Sequence, residues 1–163
     1  MTEPQDDRAI ARYVLDTFAL WGNANAYAAR FTSDSDYVAF DGSRHRGRDA
    51  NVALHRPLFE GVLYGTRIIG EIESVRWVGS DVAVVHASGA VVWPWHRDVP
   101  SARRSRQTLL VVRQSEGLSI AAFHNTRVEP VRIPPRWLAR AFRFWVRLRS
   151  RLANAPVSAT IRE

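Results

Sequence analysis

The sequence predicts an α+β fold in which N-terminal helices pack on a curved antiparallel sheet, followed by a C-terminal amphipathic helix. Apolar residues recur at helical spacing before residue 63, whereas long β-type segments fill residues 66–128. Helices first and an antiparallel sheet afterwards is the order typical of α+β proteins. With 163 residues and 46% apolar composition, the chain can bury one sizeable core.

The first helix is predicted by its cap and by its apolar stripe. Asp6 or Asp7 suits the N-cap, because a short carboxylate there accepts hydrogen bonds from free backbone N–H groups. The stripe consists of Ile10, Tyr13, Val14, Phe18 and Trp21. A short second helix is expected over residues 24–31, and a third after Gly47, with Pro57 expected to kink or restart it.

The strands follow the helices. A short strand is predicted at Tyr37–Phe40 and closed by a turn at Asp41–Gly42. Three long β segments cover residues 66–78, 82–95 and 104–128, and the last folds back at residues 115–117. This gives about four strands in a meander. We expect a ligand pocket on the concave face of the sheet.

The charge of the chain is concentrated in residues 129–163. All 23 basic residues are arginine, and this segment holds eight of them against two glutamates, which is +6 of the net +7. Prolines mark the boundary, so residues 1–128 are predicted to form one domain and residues 129–163 a basic helical tail. On a helical wheel one face of the tail carries Arg136, Arg140, Arg143, Arg147 and Arg151, and the opposite face carries Leu138, Ala141, Phe142, Trp145, Leu148 and Leu152.

Three kinds of partner fit such a helix. Its apolar face can pack on the domain or on a twofold-related subunit, which leaves the arginines in solvent. It can instead lie in an anionic membrane surface, and an acidic partner would use the same arginines. Nucleic acid is disfavoured, because the domain itself is almost neutral and offers no protein-wide basic surface.

Several classes of protein are disfavoured by what the sequence lacks. Without cysteine there are no disulfides or thiolate metal sites, and any metal would need His and carboxylate ligands; no metal or cofactor is predicted. No apolar run approaches the ~18 residues of a membrane span. The polar, acidic first residues are unlike a signal peptide, so we expect a cytoplasmic protein with at most peripheral membrane contact.

An ordered series of short motifs carries a family resemblance. The motifs are Asp36-Tyr37-Val38-Ala39-Phe40-Asp41-Gly42, Gly47, His55, Leu58-Phe59, Gly61-Val62-Leu63, Asp81-Val82-Ala83-Val84-Val85-His86, Arg106-Gln107-Thr108 and Ala122-Phe123-His124-Asn125-Thr126-Arg127. Over about residues 21–127 they resemble the SgcJ/EcaC family of the nuclear transport factor 2-like, SnoaL-like superfamily. The resemblance implies a cone-shaped homodimer with a central cavity and a role in polyketide- or enediyne-type secondary metabolism of actinobacteria. Members are often labelled oxidoreductases, but the sequence has no Gly-x-Gly-x-x-Gly fingerprint and no flavin motif.

Four polar residues on the predicted strands are candidates for catalysis. His86 and Gln107 are expected to face inward, because a polar residue in an apolar strand needs a partner or ligand once buried. His124 and Asn125 point to opposite faces, and periodicity does not choose which one faces the pocket. We predict His86 or His124 as the proton carrier and Gln107 or Asn125 as the donor to an enolate oxygen.

The residues expected to line the ligand are mostly aromatic. They are Trp21, Tyr37, Asp41, His55, Phe59, Trp93, Phe123 and Arg127. Simpler roles remain open for several of them: the histidines can be satisfied structural residues, Asp41 can serve its turn, and Arg127 can pair with Asp41 or Glu71. Two functions follow. The protein is an enzyme that moves protons on a small apolar or polyketide-like molecule, or a non-catalytic binding or assembly protein that uses the same cavity.

Overall fold

The computed structural model describes residues 6–100, 103–129 and 135–150, and the chain divides into two units, Met1–Glu129 and Pro130–Glu163. The first unit contains α1 (Asp7–Ala19), α2 (Ala24–Ala28), β1 (Phe31–Val38), β2 (Arg44–Arg46), α3 (Arg48–Glu60), β3 (Arg67–Trp77), β4 (Val82–Val92), β5 (Ser105–Gln114) and β6 (Gly117–Arg127). The second contains α4 (Arg136–Ser150). The helices α1 to α3 precede the long strands β3 to β6, and the basic tail contains a helix, as the sequence predicts.

The helices follow their predicted caps and stripes. Asp6 caps α1 by accepting the backbone N–H groups of Arg8 and Ala9 at 2.9 and 3.1 Å. The stripe of α1 buries Ile10, Val14 and Phe18 in the core. The helix α3 continues through Pro57 to Glu60, so the restart expected as one of two outcomes at this proline does not occur. Pro57 is exposed and sits in the last turn, where solvent can satisfy the carbonyl that loses its partner.

Within the described part of the chain, the sheet has six strands in the order β2-β1-β6-β5-β4-β3. Strands β3 to β6 form the predicted antiparallel meander. The sheet as a whole is mixed rather than antiparallel, because β1 pairs with β6 in parallel, with Tyr37 beside Phe123. No hairpin constrains the direction of β1 relative to β6, since α3 and the meander lie between them in the chain.

Strand β1 also begins earlier than predicted, at Phe31 rather than Tyr37. Residues 32–35 have a turn-like polar composition. They lie at a register shift between Phe31 and Asp36, which both pair with β6, and the Ser35 carbonyl accepts from the Gly47 N–H at 2.7 Å.

The core lies between the helices and one face of the sheet, which we call the inner face. Alternate residues point into it from β4 (Ala83, Val85 and Ala87) and from β5 (Leu109 and Val111). From β6 it receives Ile120 and Phe123, between which a register shift at Ala121 changes the alternation by one residue. The residues between them face the other way, on what we call the outer face. This alternation decides which polar side chains of the sheet can meet the helices.

Candidate functional site

A group of seven rings fills the inner face between α1, α2, α3 and the sheet. This aromatic cluster consists of Trp21, Tyr27, Phe31, Tyr37, His55, Phe59 and Phe123. Trp21 packs edge-on against Phe59 with ring centroids 4.7 Å apart, and Tyr37 stacks on Phe123 at the same distance. The structure thus gathers five of the residues expected to line a ligand: Trp21, Tyr37, His55, Phe59 and Phe123.

His55 is the titratable group at the centre of the aromatic cluster, and it is 2% exposed. Its Nδ1 lies 2.9 Å from the backbone carbonyl of Asn51, one helical turn earlier, so Nδ1 carries the proton and donates it to that oxygen. Nε2 is then an acceptor, and the Tyr37 hydroxyl donates to it at 3.3 Å. Burial lowers the pKa of His55 below its ordinary value, because a low-dielectric surrounding disfavours imidazolium. The imidazole is neutral near pH 7.

The two tyrosines of the cluster extend this chain of hydrogen bonds. The Tyr27 hydroxyl lies close enough to the Tyr37 hydroxyl for each group to affect the pKa of the other. Burial raises the pKa of Tyr37, and raises the pKa of Tyr27 well above its ordinary value, since both phenolates would have to form away from water. The result is a neutral relay of Tyr27, Tyr37 and His55 that ends on the Asn51 carbonyl.

A second polar group lies beside the cluster on the inner face. The Gln107 side chain, 7% exposed, donates through Nε2 to Asn125 Oδ1 at 3.1 Å and to Ser105 Oγ at 2.7 Å. Its other atom, Oε1, is buried and has no hydrogen-bond partner within the described residues. An unsatisfied buried acceptor costs about 1–3 kcal/mol, so a donor placed there would stabilise the site. Asn125 follows Phe123 by two residues on β6, so their backbones lie roughly 7 Å apart along the strand and their side chains share the inner face.

Both predicted proton carriers face away from this site, which corrects the expectation that His86 points inward. His86 and His124 are exposed on the outer face, and His86 Nδ1 lies 3.2 Å from the Thr108 hydroxyl. The reason is strand alternation, because Val85 and Ala87 occupy the inner positions that flank His86. Asn125 is therefore the inner member of the 124–125 pair.

Three expected ligand residues also lie outside the aromatic cluster. Asp41 is exposed in its turn, where it accepts from the Ser43 N–H and hydroxyl at 3.0 and 2.7 Å. Trp93 follows β4 and stacks on Trp95 at 5.7 Å. Arg127 forms an ion pair with Glu129 at 3.2 Å. The alternative pairing expected from the sequence was with Asp41 or Glu71.

Sequence reasoning missed Tyr27, Phe31, Asn51 and Ser105. One signal was available for Asn51, because it precedes His55 by four residues and so shares its face of α3. Both polar atoms of its side chain are buried and unpartnered within the described residues, as is the hydroxyl of Ser35 on β1. The region between α3 and β1 therefore offers further unused hydrogen-bonding capacity.

Open hollows lie on the outer face of the described residues, and two of them differ in size and lining. The larger, about 450 Å³, has the charged residues Glu71, Glu73, Arg104 and Arg106 in its lining. The smaller, about 180 Å³, is lined mainly by Val38, Val84, Leu110, Ala122 and His124. Across residues 6–100, 103–129 and 135–150, no cluster of three or more His, Asp or Glu side chains is arranged to hold a metal ion. None of the helices in these ranges is both long and apolar enough to cross a membrane.

Solved structures resemble the first unit closely enough to assign its fold. A domain of unknown function with a cystatin-like fold from Nostoc punctiforme matches with a TM-score of 0.69 and 25% identity, covering 87% of this chain and 95% of that one. A nuclear transport factor 2-like protein with a cystatin-like fold from Novosphingobium aromaticivorans matches with a TM-score of 0.61 and 22% identity, covering 83% of this chain and 87% of that one. The fold is nuclear transport factor 2-like. A ketosteroid isomerase-like protein from Erwinia carotovora matches at 0.56 and 18% identity over 75% and 92%.

These likenesses confirm the predicted fold class. No family model matches the chain, and no curated protein does. The narrower resemblance to the SgcJ/EcaC family therefore stays a prediction.

Proposed function

We propose that the nuclear transport factor 2-like domain binds a small, largely apolar molecule that carries a hydrogen-bond donor, on the inner face beside the aromatic cluster. The observation that carries this proposal is the buried, unpartnered Oε1 of Gln107, held in place by two hydrogen bonds from its Nε2. A hydroxyl of the ligand would satisfy it. Trp21 and Asn125 are only half-buried, so they give this region contact with solvent through which a ligand can enter.

The class of ligand follows from the residues around it. Flat aromatic rings favour flat or polycyclic molecules, and Asn125 can donate to a ligand carbonyl. The SgcJ/EcaC resemblance supports a polyketide-type compound, and the ketosteroid isomerase-like neighbour is consistent with a polycyclic one. Under this proposal the protein is a cytoplasmic binding protein of secondary metabolism.

The proposal is tested by comparing 1-naphthol with naphthalene, which differ by one hydroxyl. Binding is followed by tryptophan fluorescence and checked by NMR. We expect the full-length protein to prefer naphthol about tenfold, which corresponds to one net hydrogen bond of about 1.4 kcal/mol. Gln107→Leu should abolish the preference. Gln114→Leu, the same substitution at an exposed position of β5, should keep it. An unchanged preference in Gln107→Leu, or no binding of either compound, would refute the proposal.

A second candidate function, proton transfer, is favoured by the His55–Tyr37 pair. A neutral imidazole with a fixed tautomer in an apolar surrounding is suited to general base catalysis at neutral pH. Because Nε2 already accepts the Tyr37 hydroxyl, the Tyr37 oxygen would take the ligand proton as its own proton passes to Nε2, and the reverse transfer would return a proton to the ligand. Asn125 can still serve in its predicted role of donor to an enolate oxygen. Gln107 cannot, because its Nε2 already donates to Asn125 and Ser105 and its free Oε1 only accepts. His86 and His124 lose the role of proton carrier to His55, because they lie on the outer face.

Exchange of the α-protons of 1-tetralone for deuterium, followed by NMR in D₂O, tests this function. If His55 acts as the base, His55→Gln should slow the protein-dependent exchange by about 10²- to 10⁴-fold. His86→Gln and His124→Gln are the matched controls and should leave the rate unchanged. Exchange no faster with the wild-type protein than in buffer would remove proton transfer and leave the binding function intact.

A further inference from the structure

The helix α4 carries positive charge without any opposing charge of its own. Within Arg136–Ser150 there are five arginines and no acidic residue. Arg136, Arg140, Arg143 and Arg147 are spaced by three or four residues, which places them in one stripe along the helix. Arg151, predicted to extend the stripe, lies outside the described residues. The uncompensated stripe favours a polyanionic partner.

The remaining surface of α4 is broad and apolar. It consists of Trp137, Leu138, Ala139, Ala141, Phe142, Phe144, Trp145, Val146 and Leu148. Trp137 is 70% exposed and Phe144 71%, and both flank the arginine stripe on the helical wheel. Phe142 and Trp145 stack with ring centroids 5.9 Å apart in the middle of the apolar face. Aromatic residues beside a polar stripe suit the boundary between lipid headgroups and acyl chains.

We propose that α4 is a membrane-surface helix that lies flat on anionic lipid, with its arginine stripe among the phosphates and its apolar face in the outer part of the acyl layer. Charge complementarity selects anionic over neutral lipid. The wide apolar face favours lipid over nucleic acid, because phosphate-backbone binding uses the arginines alone and would leave two Trp and two Phe in water. The helix is about 22 Å long and carries five charges, so it lies on a membrane rather than across it.

One arginine departs from the stripe. Arg149 falls within the apolar face, and its guanidinium lies 5.4 Å from the centroid of the Trp145 ring. A guanidinium over an indole face keeps part of its electrostatic stabilisation when it is moved out of water. Its flexible stem can also carry the charge up to the headgroups from an apolar surface. Arg149 is therefore compatible with a buried apolar face.

Vesicle sedimentation of the full-length protein tests the proposal. The vesicles contain phosphatidylcholine and phosphatidylglycerol at about 7:3, with pure phosphatidylcholine as the neutral comparison. Each arginine near an anionic surface strengthens partitioning about fivefold, so Arg140→Gln/Arg143→Gln/Arg147→Gln should weaken it about a hundredfold. Arg8→Gln/Arg46→Gln/Arg97→Gln makes the same charge change on the exposed surface of the first unit and should have little effect. The variant Phe142→Ser/Trp145→Ser removes the centre of the apolar face and should also lose binding.

Sedimentation with anionic but not neutral vesicles, lost in both α4 variants and weakened at about 0.5 M salt, is the expected result. A protein that stays in the supernatant at about 0.05 M salt overturns the proposal. The proposal is also overturned if Phe142→Ser/Trp145→Ser still binds the anionic vesicles as the wild type does, because that would show charge attraction without insertion of the apolar face. Tighter binding to a single-stranded oligonucleotide than to the anionic vesicles would assign the arginines to nucleic acid instead. None of these outcomes bears on ligand binding by Gln107.

Discussion

Lowering the pH below about 6.5 is expected to destabilise the nuclear transport factor 2-like domain through His55. The pKa of His55 is lowered in the folded state by burial, whereas in the unfolded chain it has its ordinary value. Protonation therefore favours the unfolded chain. The stability that the neutral imidazole contributes is fully present above the unfolded pKa and is lost as the pH falls through it towards the folded pKa.

The size of the effect follows from proton linkage. A single group that binds a proton only in the unfolded state changes the free energy of unfolding by up to about 1.4 kcal/mol per pH unit. The groups that face His55 offer no compensating negative charge, since Tyr27 and Tyr37 are neutral phenols and His45 acts to lower the pKa further. Between pH about 6.5 and about 5.5 we expect a loss of up to about 1.4 kcal/mol. This corresponds to roughly 3–6 °C in Tm for a domain of this size.

The assay is urea unfolding at pH about 7.5, 6.5 and 5.5 for the wild type, His55→Gln and His86→Gln. His55→Gln should flatten the dependence on pH, whatever its absolute stability. His86→Gln, the same change on the exposed outer face, should keep the wild-type slope. Because carboxylates contribute equally to all three proteins, the difference in slope isolates His55. The reasoning is refuted if His55→Gln retains the wild-type slope, or if the His55 ring signal of the wild type titrates in NMR above pH about 6.5.

Three further substitutions test other parts of the structure. Gly47 has φ of 84°, and an added Cβ would lie 2.9 Å from a backbone carbonyl oxygen of β1. Gly47→Ala should therefore lower the free energy of unfolding, measured in urea, by about 2 kcal/mol or more. Gly42 has a similar φ but no atom within 4 Å of an added Cβ, so Gly42→Ala should lower the free energy of unfolding by less. Trp21→Phe keeps a ring in the aromatic cluster but removes the 3.0 Å hydrogen bond from the indole N–H to the Thr66 hydroxyl. The free energy of unfolding should fall by about 1 kcal/mol. The homodimer implied by the family resemblance is expected to cover the smaller outer-face hollow, which Leu110 lines. Leu110→Glu would bury a charge in that interface, so this variant should sediment as a monomer in sedimentation velocity. A dimer that persists in the variant would contradict this prediction.

The elements with strong local signals could be predicted from the sequence. The stripe of α1 and the alternation of β4 and β5 repeat over most of each element, so packing reinforces what each residue prefers locally. Register shifts interrupt the alternation of β3 and β6. The start of β1 could not be predicted in this way, because residues 32–35 are polar and the flanking residues Phe31 and Asp36 are held in the sheet by pairing with distant β6. The expected antiparallel sheet was wrong at this one pairing for the same reason.

For the site, the aromatic residues were easier to place than the polar ones. Large rings such as Trp21 and Phe123 are buried wherever a core exists, so composition and position suffice to bring them together. The side on which a single histidine of a strand lies depends on register. His86 alternates with Val85 and Ala87, and Ser88 shares its parity, which was a readable sign that it faces outward. The hydrogen bond of His55 to Asn51 needed the geometry of α3 itself.

The parallel pairing of β1 with β6 has a consequence for how the chain reaches its native state. Phe31 pairs with Ile120, about ninety residues later in the chain, so this contact closes a long loop and belongs to the slow, high-contact-order part of folding. On the ribosome, β1 emerges long before its partner is synthesised. Until the β5–β6 hairpin forms, β1 has only the three-residue β2 to pair with, and a nascent chain halted before residue 117 exposes an unpaired strand edge that invites association with other chains.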